Sequence, residues 1–154
     1  MTVSVPFDIH QTFTVKASYD TVFDLLANVP ESVSHFPKVD NLVDLGNNVY
    51  RWEMEKLGAG KYIIQTIYAC QYSNNRDQGW IRWTPLKDVG NALIEGSWQI
   101  KKLSGSTAID FYTKGIITAP LPSLTKLVVS PIVSGEFKNL IENYIRNLEH
   151  TLNS

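Results

Sequence analysis

The sequence predicts an α+β fold in which one strand, two short helices, six further strands and a long C-terminal helix follow in the order β-α-α-β-β-β-β-β-β-α. Three observations carry this expectation. Residues 121–152 place apolar side chains at helical spacing. Residues 38–118 break into segments rich in Val, Ile, Tyr, Trp and Thr, separated by turn formers. Residues 7–15 alternate apolar and polar with a period of two.

In the first strand, Phe7, Ile9, Phe13 and Val15 oppose Asp8, His10, Thr12, Thr14 and Lys16, the mark of a half-buried strand. Ser18 can cap the next element, a helix from Tyr19 to Asn28 with Asp20 in its first turn and Val22, Leu25, Leu26 and Val29 at helical spacing. Pro30 suits the first turn of a second short helix, Pro30 to His35, and Pro37 forces Phe36 out of helical geometry. Six strands follow at 38–45, 49–57, 61–72, 79–84, 92–102 and 107–118. Short turns such as Gly46-Asn47-Asn48 and Gly58-Ala59-Gly60 join neighbours, so the sheet is an antiparallel meander, because a parallel return needs a crossover of about a dozen residues.

The last helix carries Leu124, Leu127, Val128, Ile132, Phe137, Leu140, Ile141, Tyr144, Ile145, Leu148 and Leu152 on one face. Pro131 and Gly135 oppose it by roughly 4 kcal/mol against alanine. Burying its apolar face returns about 1.5–3 kcal/mol gross for each large side chain, so the helix survives, with a bend expected at Pro131.

With 154 residues, 44% hydrophobic and 19% charged, the chain fits one soluble domain spanning residues 1–154, with no repeat or linker to divide it. Fourteen basic and fifteen acidic residues leave a formal charge of -1, which disfavours nucleic acid as a partner. No run approaches the ~18 apolar residues of a membrane span, and the N-terminal residues lack a basic leader, so a cytoplasmic location is expected. The single cysteine, Cys70, lies in an apolar stretch and reads as a buried structural thiol. Oligomeric state is not written in the sequence.

The order of elements, the segment from Ser18 to Pro37, Tyr50-Arg51-Trp52, Trp83-Thr84-Pro85, Gly96-Ser97-Trp98 and the Pro-Leu-Pro run before the last helix resemble the START-like, or SRPBCC, superfamily. The resemblance implies a helix-grip fold: a seven-stranded curved antiparallel sheet wrapped around the C-terminal helix. Members of that superfamily include polyketide cyclases, lipid carriers, hormone receptors and chaperone activators, so the fold alone does not select an activity.

Strand parity then nominates the residues that face the space between sheet and helix. Tyr50, Trp52 and Met54 share a face of their strand, opposite Arg51, Glu53 and Glu55. Tyr62, Ile64, Thr66 and Tyr68 point inward on the next, Ile81 and Trp83 on the short fifth strand, Trp98 on the sixth, and Ile109, Phe111 and Thr113 on the last. The candidate ligand-binding set is Tyr50, Trp52, Tyr68, Trp83, Trp98, Phe111, Thr113, Leu124, Val128 and Ile132. Such rings either fill the interior or line a cavity for an apolar molecule with few polar groups. Were the parity of the fifth strand reversed, Arg82 would enter that space as an anchor for an oxyanion.

Catalytic signals are weak. His10, His35 and His150 are scattered without metal-ligand spacing, and Glu53 and Glu55 fall on the outer face. No catalytic residue, metal or cofactor is assigned. The leading expectation is binding, carriage or sequestration of a small hydrophobic ligand; the alternatives are a polyketide aromatase/cyclase and a protein-interaction module with a filled core. The way in is expected between the Pro85–Asn91 loop, the Gly58–Gly60 turn and the Pro-Leu-Pro segment.

Overall fold

The structure is a computed structural model that describes residues 3–57, 64–119 and 126–154. Among the described residues seven strands form a single antiparallel sheet, and three helices accompany it. They are β1 (Val3–Val15), α1 (Tyr19–Ala27), α2 (Val29–Val33), β2 (Val39–Gly46), β3 (Val49–Leu57), β4 (Ile64–Asn75), β5 (Trp80–Pro85), β6 (Ala92–Leu103), β7 (Ser106–Ala119) and α3 (Lys126–Leu152). The order across the sheet is β1-β7-β6-β5-β4-β3-β2, so β2 to β7 run as the expected meander and β1 pairs with β7 along its whole length.

This order places β1 and β2 on opposite edges, and the chain must cross the width of the sheet between residues 16 and 38. The two short helices make that crossing. Ser18 caps α1 by accepting from the Thr21 amide at 3.2 Å, and Val22, Phe23, Leu25 and Leu26 are buried. Asn28 ends α1 and caps α2, accepting from the Glu31 amide at 3.2 Å, with Pro30 in the first turn. The second helix is shorter than expected, ending at Val33, with residues 34–36 in turns.

Strand β1 begins at Val3 rather than Phe7. The strand includes Pro6 because β1 is an edge strand, where a missing amide can face away from the ladder. β4 continues through Asn74 and Asn75, which sequence assigns to a turn, because both pair with β5 at Ile81 and Trp80. The first residues expected for β4, 61–63, lie outside the described residues. So do residues 121–125 of the last helix. From Lys126 that helix continues through Pro131, which is exposed, to Leu152.

Phe137, Leu140, Ile141, Tyr144, Ile145, Leu148 and Leu152 of α3 are buried as the spacing predicts, joined by Val133. Phe137 packs on Phe7 of β1 with ring centroids 4.4 Å apart. The C-terminal end is fastened to the segment after β1: the Ala17 amide donates to the Leu152 carbonyl at 3.1 Å and the Lys16 amide to the Asn153 side-chain oxygen at 2.8 Å. On the other side, Arg76 in the β4–β5 turn pairs with Asp20 and Asp24 of α1 and stacks on the Phe23 ring at 4.5 Å. Among the described residues no helix is long and apolar enough to cross a membrane.

Trp98 sits at the centre of this packing, 3% exposed and in contact distance of Phe13, Trp83, Phe111 and Tyr144. Replacing it with alanine removes a ring that five elements share. Trp98→Ala should therefore cost about 3–5 kcal/mol, read as a lower urea midpoint at unchanged slope.

Candidate functional site

The sheet brings its inward aromatics together in adjacent strands. Trp52 and Tyr68 are cross-strand partners whose rings stack 5.4 Å apart at 15°. Tyr72 faces Trp83 across β4 and β5, and Trp98 faces Phe111 across β6 and β7 with centroids 4.6 Å apart. Trp83 is opposite Gly96, and a Cβ there would stand 2.3 Å from the indole ring. Only glycine leaves room for Trp83 to lie flat against β6, which gives the Gly96-Ser97-Trp98 sequence a packing reason. From the helical side, Phe36 meets Trp52 edge-on at 5.4 Å, and Tyr144 of α3 lies against Phe36 and Trp98.

These side chains surround an internal cavity of about 40 Å³. Among the described residues its wall carries no carboxylate, ammonium, guanidinium or imidazole. The polar groups are hydroxyls and the indoles of Trp52, Trp83 and Trp98, and several of them are engaged. Trp52 Nε1–H donates to Tyr72 Oη at 3.1 Å, Tyr144 Oη shares a hydrogen bond with Ser32 Oγ, and Thr113 Oγ1 donates to the Glu95 carbonyl at 3.0 Å. Burial is the main reason that the phenols of Tyr68, Tyr72 and Tyr144 are held above their ordinary range, so they stay protonated at neutral pH. Cys70, fully buried behind them with its thiol donating to the Ile94 carbonyl at 3.3 Å, is pushed up to about 12 by desolvation. Thr66, also buried, has no hydrogen-bond partner for its hydroxyl among the described residues.

Of the residues nominated from sequence, Trp52, Tyr68, Trp83, Trp98, Phe111 and Thr113 line the cavity. Tyr50 does not. It shares a face with Trp52, but it stands beyond Tyr72, half-buried in an outer groove with Pro30, Val39 and Leu42. Parity gives the correct face, but α2, not α3, covers the sheet there. Leu124 and the side chains of Val128 and Ile132 lie outside the described residues. Arg82 is exposed, its guanidinium 3.9 Å above the Trp80 ring, while Ile81 and Trp83 point inward. The reversed parity of the fifth strand is therefore excluded.

Glu53 pairs with Arg51 at 2.9 Å on the outer face, a contact between neighbours on that face of β3 rather than the expected cross-strand pair. His35 joins α2 to α3: its Nδ1–H donates to the Glu31 carbonyl at 3.0 Å and its Nε2 bonds Thr151 Oγ1 at 2.9 Å. No cluster of three potential metal ligands occurs among the described residues. The expected way in through the Pro85–Asn91 loop is not supported. That loop is stitched to β4 by Leu86 N to Ala69 O, Asn91 N to Ile67 O and both ends of the Asn91 side chain. The Gly58–Gly60 turn and the Pro-Leu-Pro segment lie outside the described residues.

Sequence reasoning misses Tyr72, Phe36, Ser32 and Tyr144 as wall residues. Tyr72 was within reach, because it continues the alternation of Thr66, Tyr68 and Cys70. Phe36 and Ser32 lie in a segment too short to show periodicity, and Tyr144 appears only as one more residue on the apolar face of α3.

No protein-family model matches the chain, and no curated protein matches it in sequence. Solved structures do match in shape. A protein of Thermus thermophilus superposes with a TM-score of 0.72 at 13% identity, covering 95% of this chain and 97% of that one. A START superfamily protein from Mycobacterium smegmatis gives 0.68 at 15% identity, over 94% and 96% of the two chains. The Zhui aromatase/cyclase of a Streptomyces species gives 0.61 at 14% identity, over 96% and 91%. The chain therefore has the fold of these structures, a helix-grip arrangement with a seven-stranded antiparallel sheet around the C-terminal helix.

Two outcomes follow from the wall chemistry. Tyr144→Phe leaves the buried Ser32 hydroxyl without its partner and should cost about 1–3 kcal/mol, whereas adding Ser32→Ala should restore part of the loss. A double-mutant cycle in urea measures this coupling. The second concerns alkaline pH. Unfolded Cys70 ionises near ~8.5, the folded thiol at about 12, so between these values the unfolded state binds fewer protons and stability falls as pH rises. From pH 8 to 10 the native protein should lose about 1–2 kcal/mol more than Cys70→Ala does in paired denaturation curves.

Proposed function

We propose that residues 1–154 act as one START-like unit, in the cytoplasm, that binds and carries or sequesters a small uncharged hydrophobic molecule between the sheet and α3. The observation that carries this reading is the composition of the cavity wall: among the described residues, stacked and edge-on aromatic rings with hydroxyl tips and no ionised side chain. Rings give apolar contact and fix the plane of a flat ligand, and hydroxyls orient a carbonyl or hydroxyl on it. An ionised ligand finds no counter-charge in that wall and would lose its hydration there.

Acid–base catalysis of the cyclase type has less support. It needs a group that exchanges protons near neutral pH, and the titratable groups in and behind the wall are phenols and a thiol held protonated. A second reading, an interaction module with a filled interior, is favoured by one observation, the small volume of the void.

A matched pair of probes separates these readings. N-phenyl-1-naphthylamine and its 8-sulfonate share one ring framework and differ by a single negative charge. Titrated against the protein, with energy transfer from tryptophan as the signal, the neutral probe should bind at micromolar concentration and at least about tenfold more tightly than the sulfonate. Binding of neither would leave the filled-core reading standing, and preference for the sulfonate would contradict the role assigned to the uncharged wall.

A further inference from the structure

The internal cavity alone is too small for the ligand it is proposed to hold. About 40 Å³ admits two or three waters, whereas small-molecule sites usually measure ~300–1,000 Å³. On the other side of α2 lies a shallow groove of about 360 Å³, lined by Pro30, Val39, Leu42 and Tyr50, with Asp44 beside them. Two residues, Val33 and Phe36, belong to the walls of both spaces. Their side chains therefore stand between groove and cavity.

The backbone around this partition is fastened on both sides. Asn147 Nδ2 donates to the His35 carbonyl at 2.9 Å, the Phe36 amide donates to Val33 at 2.8 Å, and the Glu55 amide donates to Lys38 at 2.8 Å. Ser32 is tied to Tyr144. A rigid-body movement of α2 with its exit turn would break the bonds to Asn147 and Tyr144 of α3, while a rotation of the Phe36 side chain breaks none of them. What the rotation gives up is ring contact, edge-on with Trp52 at 5.4 Å and tilted against Tyr144 at 4.8 Å. A flat ring entering from outside can take over both contacts.

We infer that Phe36 is the movable partition of one elongated binding site, in which an uncharged ligand seats an aromatic ring against Trp52, Tyr68 and Tyr144 and extends an apolar tail into the groove over Val39, Leu42 and Tyr50. This inference rests on the ligand-binding reading above and adds the route, the second subsite and the shape of the molecule. The aliphatic groove suits a tail, the aromatic interior a ring. Asp44 is the ionisable side chain along the groove wall and accepts from the Gly46 amide at 2.8 Å, so a carboxylate-bearing tail meets a like charge there.

Stopped-flow mixing with N-phenyl-1-naphthylamine tests the partition. Phe36→Leu keeps an apolar side chain but removes the ring, and should raise the association and dissociation rates together by about tenfold, leaving affinity within about threefold. Leu42→Trp narrows the groove without touching the cavity wall and should slow association by about tenfold. Where the wild-type protein binds the probe and Leu42→Trp keeps wild-type rates within twofold, the groove is not the route and the inference is wrong, whatever Phe36→Leu does. Should Phe36→Leu fail to fold, Leu42→Trp decides alone. Absence of probe binding in all three proteins would instead overturn the ligand-binding reading, and the partition with it.

Discussion

A curved sheet whose concave face carries Trp52, Tyr68, Trp83, Trp98 and Phe111 can exist in water only if something covers that face, and α3 is the cover. Each of these rings exposes too much apolar area to be left open, and together they outweigh what Pro131 and Gly135 take from the helix. The hydrogen bonds from Ala17 and Lys16 to the C-terminal end of α3, and the aromatic contact of Phe137 with β1, set the helix at a fixed depth in the sheet. That depth determines how much space remains beneath it.

Little remains, and the reason is geometric. Edge-on and tilted contacts, Phe36 on Trp52 at 81°, Trp98 on Tyr144 at 66° and Trp83 on Trp98 at 60°, let rings interlock and fill the volume between layers. The residual void adjoins the stacked pair Trp52 and Tyr68 and the polar contact of Ser32 with Tyr144. The smallness of the void is thus a property of ring orientation, which side-chain rotation can change without disturbing the sheet.

Much of this architecture was legible in the sequence because two periodicities carry it. The alternation in β3, β6 and β7 placed Trp52, Trp98, Phe111 and Thr113 on the inner face, and the 3.6-residue spacing placed Phe137 to Leu152 on the buried face of α3. Two kinds of information were not legible. Edge position is one: the alternation is read from Phe7, whereas the strand runs from Val3 through Pro6, which an edge strand tolerates. The other is which layer covers a given stretch of the inner face. Tyr50 and Trp52 are equivalent by alternation, yet one lies under α3 and the other beside α2, and nothing local in either residue distinguishes them. Phe36 illustrates the same limit from the other direction, since its role depends on a crossing of the sheet that topology alone imposes.

That crossing also concentrates the polar chemistry of the interior at one end. Because β1 and β2 are opposite edges, α2 must pass over the mouth of the sheet, and it brings Ser32 against Tyr144 and His35 against Thr151. The hydroxyl pair is buried and protonated, while the imidazole lies on the outer side, so the interior retains hydrogen-bonding capacity without a charge. A wall of this kind discriminates by desolvation: an uncharged oxygen can exchange its water for a phenol, whereas an ionised one leaves behind hydration that no group here replaces. On the proposed reading, selectivity for neutral molecules would follow from the absence of ionised groups among the described wall residues, and would persist when ring rotation changes the shape of the site.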